Sequence, residues 1–212
     1  MAKFAGGILG AFSGKVGSVI GGNWKGIDYM RGKARKTNRK PTQSQAEQQA
    51  KFKMMVDFLK PLSDLFVISY SGTANQRSPL NSALSKNMKM AVTGTWPNFG
   101  IDYSQVSISK GDMPNAKAPT AVAVAGGMIN FTWRMGQLTG KAKPTDKCIV
   151  VVYCPDLEQF LYIGDGAARS TEAFSLDAED FIGKLVHTWL GFVSVKGDEI
   201  ANSIYTGAIT VS

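Results

Sequence analysis

The chain has 212 residues, 44% of them hydrophobic and 19% charged, a globular composition that excludes an intrinsically disordered protein. No stretch reaches the roughly 18 consecutive apolar residues of a membrane-spanning helix. Residues 1–10 lack the core and cleavage site of a classical signal peptide, so synthesis in the cytoplasm is expected.

The net charge of +8 is unevenly placed: residues 1–60 hold twelve Lys and Arg against Asp28, Glu47 and Asp57, whereas residues 61–212 hold twelve against thirteen acids. Along residues 4–23 Gly recurs every two to four positions, which disfavours both a stable helix and an independent strand. Ile8, Leu9, Phe12, Val16 and Ile20 stand between the glycines and need a surface to pack against. Residues 24–31, with Trp24 and Tyr29, read as a strand. A turn at Gly21-Gly22-Asn23 would join them to residues 16–20 as a hairpin. Arg31, Lys33, Arg35, Lys36, Arg39 and Lys40 then place six positive charges in ten residues with no acid among them.

Pro41 and two overlapping capping-box patterns (Thr42 to Gln45, Ser44 to Glu47) open a helix expected to run to Leu59, before Pro61. Its apolar stripe is Phe52, Met55, Val56 and Leu59. Ser78-Pro79 opens a second helix over 79–92. From residue 101 onward the pattern is β, with strands expected at 102–109, 120–125, 128–133, 147–154, 159–163, 172–176, 185–195 and 203–211. No helical period intervenes, so the sheets should be antiparallel. The organisation is thus a basic Gly-rich arm (1–40), a helical and mixed region (41–115) and a β-sandwich (116–212), mainly β with a helical segment.

Cys148 and Cys154 lie on one expected strand, about 20 Å apart at ~3.3 Å per residue, too far to bridge. With a single His187 they cannot complete a zinc site. The sequence has no Gly-x-Ser-x-Gly elbow and no phosphate loop, and Asp177, Glu179 and Asp180 read as a solvated turn. The expectation is therefore a protein that is not an enzyme and holds no catalytic residue, cofactor or metal.

The segment from Gly7 to Arg31, with Pro41-Thr42, Gln45 and Lys51-Phe52, is similar to the N-terminal signature of an uncharacterised Bacteroidota family known only as a domain of unknown function. The likeness continues through Ile101-Asp-Tyr-Ser104 and Tyr205-Thr-Gly207, and implies no activity. Residues 120–212 resemble a fibronectin type III or immunoglobulin-like sandwich, with Ile129-Asn-Phe-Thr-Trp133 matching the strand that ends in a core Trp and 185–195 and 203–211 the last two strands.

Together these features point to a structural, self-assembling protein: a filament, shell or phage-like particle subunit, with the chain itself as partner. Ile8, Leu9, Phe12, Val16, Ile20, Trp24 and Tyr29 would anchor an arm exchanged between subunits. The alternative is that Arg31, Lys33, Arg35, Lys36, Arg39 and Lys40 bind nucleic acid or an acidic protein surface. A membrane-active N-terminal segment is the weaker alternative, because its Gly density opposes a persistent interfacial helix.

Overall fold

The computed structural model describes residues 3–4, 10–34, 40–73, 77–136 and 138–212, apart from the side chains of Phe4 and Thr73. Ile8, Leu9, Arg35, Lys36 and Arg39 lie outside the described residues. The chain divides into two compact units, Met1–Thr42 and Gln43–Ser212.

The first unit is an antiparallel meander of β1 (Lys3–Phe4), β2 (Phe12–Val16), β3 (Val19–Trp24) and β4 (Ile27–Gly32), in that order across the sheet. The expected turn at 21–23 is instead the middle of β3, because tight turns form on either side of it. Gly17, with φ 55°, takes the first central position of the β2–β3 hairpin. Lys25 and Gly26, at φ 50° and 85°, have the two positive φ angles of a type I′ turn between β3 and β4. Asn23 clamps that turn: its Oδ1 accepts from the Gly26 N–H at 3.0 Å and its Nδ2 donates to Asp28 Oδ1 at 2.7 Å. Gly21 and Gly22 serve as clearance within the strand. A Cβ on Gly21 would overlap the Phe12 carbonyl and ring, and one on Gly22 would stand 3.0 Å from the Tyr29 ring.

In the second unit, α1 (Gln43–Leu59), α2 (Ser63–Ser69) and α3 (Pro79–Met90) precede a hairpin of β5 (Val92–Thr95) and β6 (Asn98–Ile101). Ser78 caps α3 as expected, its Oγ accepting from the Asn81 N–H at 3.2 Å. On α1 the stripe is rotated from the expected one: Met55, Phe58 and Leu59 are buried, and Phe52 is exposed.

The expected strand at 102–109 does not form. Asp102 caps a 3₁₀ turn over Tyr103–Gln105, its Oδ1 accepting from the Ser104 N–H and Oγ at 3.0 and 2.6 Å. Val106, Ser107, Ile108 and Ser109 are buried, and side chains from elsewhere bond to their backbone in place of a neighbouring strand. The Ser107 N–H donates to Asn87 Oδ1 at 2.8 Å, and Asn87 Nδ2 donates to the Ser107 carbonyl at 3.0 Å. The Ile108 N–H donates to Ser203 Oγ, and Ser69 Oγ donates to the Ile108 carbonyl, both at 2.8 Å.

The other seven expected strands are present: β7 (Lys117–Val124), β8 (Met128–Arg134), β9 (Lys147–Cys154), β10 (Gln159–Ile163), β11 (Ala173–Asp177), β12 (Leu185–Val193) and β13 (Ile204–Thr210). They form two antiparallel sheets, β11-β8-β7 and β10-β9-β12-β13. Phe131, Trp133, Val150, Val152, Leu190 and Phe192 belong to the core between them.

Burial of β9 is nearly unbroken, and its residues alternate between two cores. Cys148, Val150, Val152 and Cys154 join the sandwich core; Ile149, Val151 and Tyr153 join Met55, Leu59, Phe66 and Leu84 of the helices. The body is therefore three layers deep, with helices on the outer face of the four-stranded sheet.

One ion pair is buried in the sandwich. Arg169 Nε stands 3.2 Å from Asp146 Oδ2 with both side chains 1% exposed. Its Nη2 donates to the Pro114 carbonyl at 3.0 Å, and its guanidinium lies 4.3 Å from the Phe192 ring centroid. Trp133 Nε1 donates to the Arg169 carbonyl at 2.8 Å.

Candidate assembly site

Cross-strand partners in an antiparallel ladder share a face, so the register sorts the first unit's side chains. Phe12, Val16, Val19 and Met30 fall on one face; Ile20, Trp24, Ile27 and Tyr29 fall on the other, together with Lys15 and Arg31. Both faces are apolar and both are open: Trp24 is 55%, Ile27 57% and Met30 72% exposed. Among the described residues of this unit only Gly21 is buried. Among the described residues the sheet thus has no core of its own, and an uncovered sheet is marginally stable in water.

Of the residues expected from the sequence to anchor an arm, Phe12, Val16, Ile20, Trp24 and Tyr29 all lie on this sheet, but on its two different faces. Of the basic run, Arg31 lies near the end of β4 and is exposed, and Lys33 and Lys40 are also exposed. Met1–Thr42 holds nine Lys and Arg against the single Asp28, a net charge of +8, which leaves Gln43–Ser212 neutral.

The second unit carries an aromatic group that the sequence reading missed. Phe58 of α1, Tyr103, and Tyr153 and Phe160 of β9 and β10 pack with ring centroids 4.5 to 5.9 Å apart. They line a cavity of about 420 Å³ with Asp57 and Glu158. Among the described residues no Lys, Arg or His lines it. Burial raises the Tyr103 phenol and pushes Tyr153 up to about 12, and the Glu158 charge adds to both shifts. Residues 57, 103 and 158 meet only through the tertiary fold, so no local sequence pattern marks the cavity.

His187 is half-buried, stacked on Tyr103 at 4.0 Å between ring centroids, with Nδ1 2.8 Å from the Tyr205 hydroxyl. Burial lowers its pKa. Cys148 and Cys154 are free and buried, and burial pushes the Cys148 thiol up to about 11. Asp177, Glu179 and Asp180 are exposed, and Asp177 Oδ1 accepts from the Glu179 N–H at 3.1 Å, the geometry of a solvated turn. Among the described residues no group of three or more His, Cys, Asp or Glu could hold a metal, and no helix is long and apolar enough to cross a membrane.

The strand order β11-β8-β7 packed on β10-β9-β12-β13, with Trp133 in the core, defines a fibronectin type III or immunoglobulin-like sandwich with a helical layer and a separate N-terminal sheet. The chain belongs to the family of unknown function DUF6266, whose model matches residues 11–207. No curated protein matches it.

Among solved structures it is similar to the fn3 domain of the human collagen alpha-1(XX) chain, with 4% identity, 49% of this chain and 90% of that one covered, and a TM-score of 0.36. It is also similar to titin kinase and its flanking domains, with 16% identity, a TM-score of 0.36, and 48% of this chain but only 18% of that one covered. At these scores the class rests on strand order and register rather than on superposition.

Proposed function

We propose that this protein is a non-enzymatic, self-assembling structural subunit whose N-terminal sheet is the joint between copies. The observation that supports this is a four-stranded sheet with apolar side chains on both faces and no buried side chain among its described residues. Exposed apolar patches of this kind mark interaction surfaces in soluble proteins. Among the described residues strand β4 is also an edge, where another strand could pair. Assembly as a filament, shell or phage-like particle would cover both faces and that edge.

The test is sedimentation velocity over a wide concentration range, on the full chain, a chain lacking residues 1–32, and the double variant Trp24→Ser/Tyr29→Ser. Assembly in the full chain that weakens in both variants is expected. A full chain that stays monomeric at every concentration would sink the proposal.

A second reading, nucleic-acid binding, is favoured by Trp24 and Tyr29 sharing a sheet face with Lys15 and Arg31, a pairing of stacking rings with phosphate-binding cations. In that case affinity for a single-stranded oligonucleotide falls steeply with salt, and Lys15→Gln/Arg31→Gln lowers the slope by about two charges' worth.

A further inference from the structure

We propose that the aromatic cavity of the second unit takes a lysine or arginine side chain from the N-terminal unit of a second copy of this chain. The inference rests on the self-assembly reading and names the surface on which the arm lands.

Three observations carry it. The lining suits a cation: the rings of Phe58, Tyr103, Tyr153 and Phe160 form the apolar part, and Asp57 and Glu158 bring two carboxylates with no cation among the described lining residues. Aromatic rings beside carboxylates favour ammonium and guanidinium groups, through the ring quadrupole and through Coulomb attraction together. The cavity, about 420 Å³, falls in the size range of sites that enclose a long side chain or small ligand. The chain already uses the same contact within itself, where Lys51 Nζ stands 4.7 Å from the Phe99 ring centroid.

The second observation is where the excess of cations lies in the sequence. Met1–Thr42 carries the entire net charge of +8, so a second copy is a concentrated source of Lys and Arg. The third is the strand beside the cavity. Phe160 lies on β10, which pairs with β9 on one side and is the outer strand of its sheet. An incoming extended segment can hydrogen-bond along that edge while one of its cationic side chains enters the cavity, so main-chain pairing adds affinity and the cavity sets the register. The backbone at Glu158, with φ 53°, holds that carboxylate in the tight turn leading into β10.

The test uses the full chain and a labelled synthetic peptide of residues 27–40, followed by fluorescence anisotropy, with sedimentation velocity alongside. Asp57 and Glu158 are exposed, so Asp57→Asn/Glu158→Gln should keep the urea midpoint of the parent. The expected result is a peptide affinity that falls at least about tenfold in the double variant, falls with added salt, and disappears for a peptide with Gln at its Lys and Arg positions. The variant should also sediment as smaller species than the parent.

Unchanged peptide affinity in the variant overturns the inference. If the chain lacking residues 1–32 fails to assemble while Asp57→Asn/Glu158→Gln assembles like the parent, the cavity is not the landing site and the arm reading stands. If the parent is monomeric at all concentrations, both fall.

Discussion

Replacing Arg169 by Met tests whether the buried ion pair holds the sandwich together. The substitution keeps a long apolar stem against Phe192 but removes the guanidinium from Asp146 and the donor from the Pro114 carbonyl. Asp146 is then a carboxylate at 1% exposure that keeps the hydrogen bond from the Lys143 N–H, 2.8 Å from Oδ2. Breaking a buried pair by removing one partner costs about 3–5 kcal/mol, because the surviving charge has no access to water. For a chain of this size that lowers the melting temperature by roughly 6–20 °C.

The double variant Arg169→Met/Asp146→Asn removes the stranded charge while its amide oxygen still accepts from Lys143, and should recover at least about half of the loss. Urea titration followed by tryptophan fluorescence, with scanning calorimetry, measures both. A single variant that loses less than about 1 kcal/mol, or a double variant no more stable than the single, would refute the assignment of the cost to an unpaired buried charge.

The buried phenols make the fold alkali-sensitive. Burial pushes Tyr70 from 10.0 to about 12, with Tyr153 at about 12 as well, so between those values the unfolded chain has lost protons that the folded one retains. Stability is full below pH 10 and falls as pH rises toward 12, and a urea midpoint flat across that window contradicts the burial. Cys148 and Cys154, both buried, should resist a thiol reagent at neutral pH until urea unfolds the chain; rapid reaction of the native protein would show an open path to them. Asn87→Ala strips two hydrogen bonds from the buried Ser107 backbone and should cost about 2–5 kcal/mol in urea titration, where a loss below about 1 would mean that water replaces the side chain.

The sandwich was legible because each strand is a short, largely apolar run bounded by Gly, Pro or charged turns. The segment 102–109 has the same texture and is not a strand. Its buried amides are satisfied by Asn87 and Ser203, which lie 20 and 95 residues away from the groups they bond. In β3, Gly21-Gly22-Asn23 has turn chemistry yet stays extended, because the space the glycines leave is filled by Phe12 and Tyr29 from neighbouring strands. The exposed stripe error on α1 has a similar origin: Phe58 rather than Phe52 faces Tyr153 across the layer, a choice that depends on where the sheet lies. The basic run was visible as composition alone, whereas the cavity at Asp57 and Glu158 exists only after the chain has folded.

The alternation of β9 between two cores changes what the sandwich can be used for. In a free-standing sandwich the outside of this sheet meets water, and the domain can be excised, strung in tandem or grafted. Here Ile149, Val151, Tyr153 and Trp189 belong to the core they share with the helices. Cutting the chain before residue 116 would leave these residues without their cover and produce an insoluble fragment. Neighbouring positions along β9 therefore answer to different constraints, so substitutions at 150 and 151 probe two separate layers through one strand.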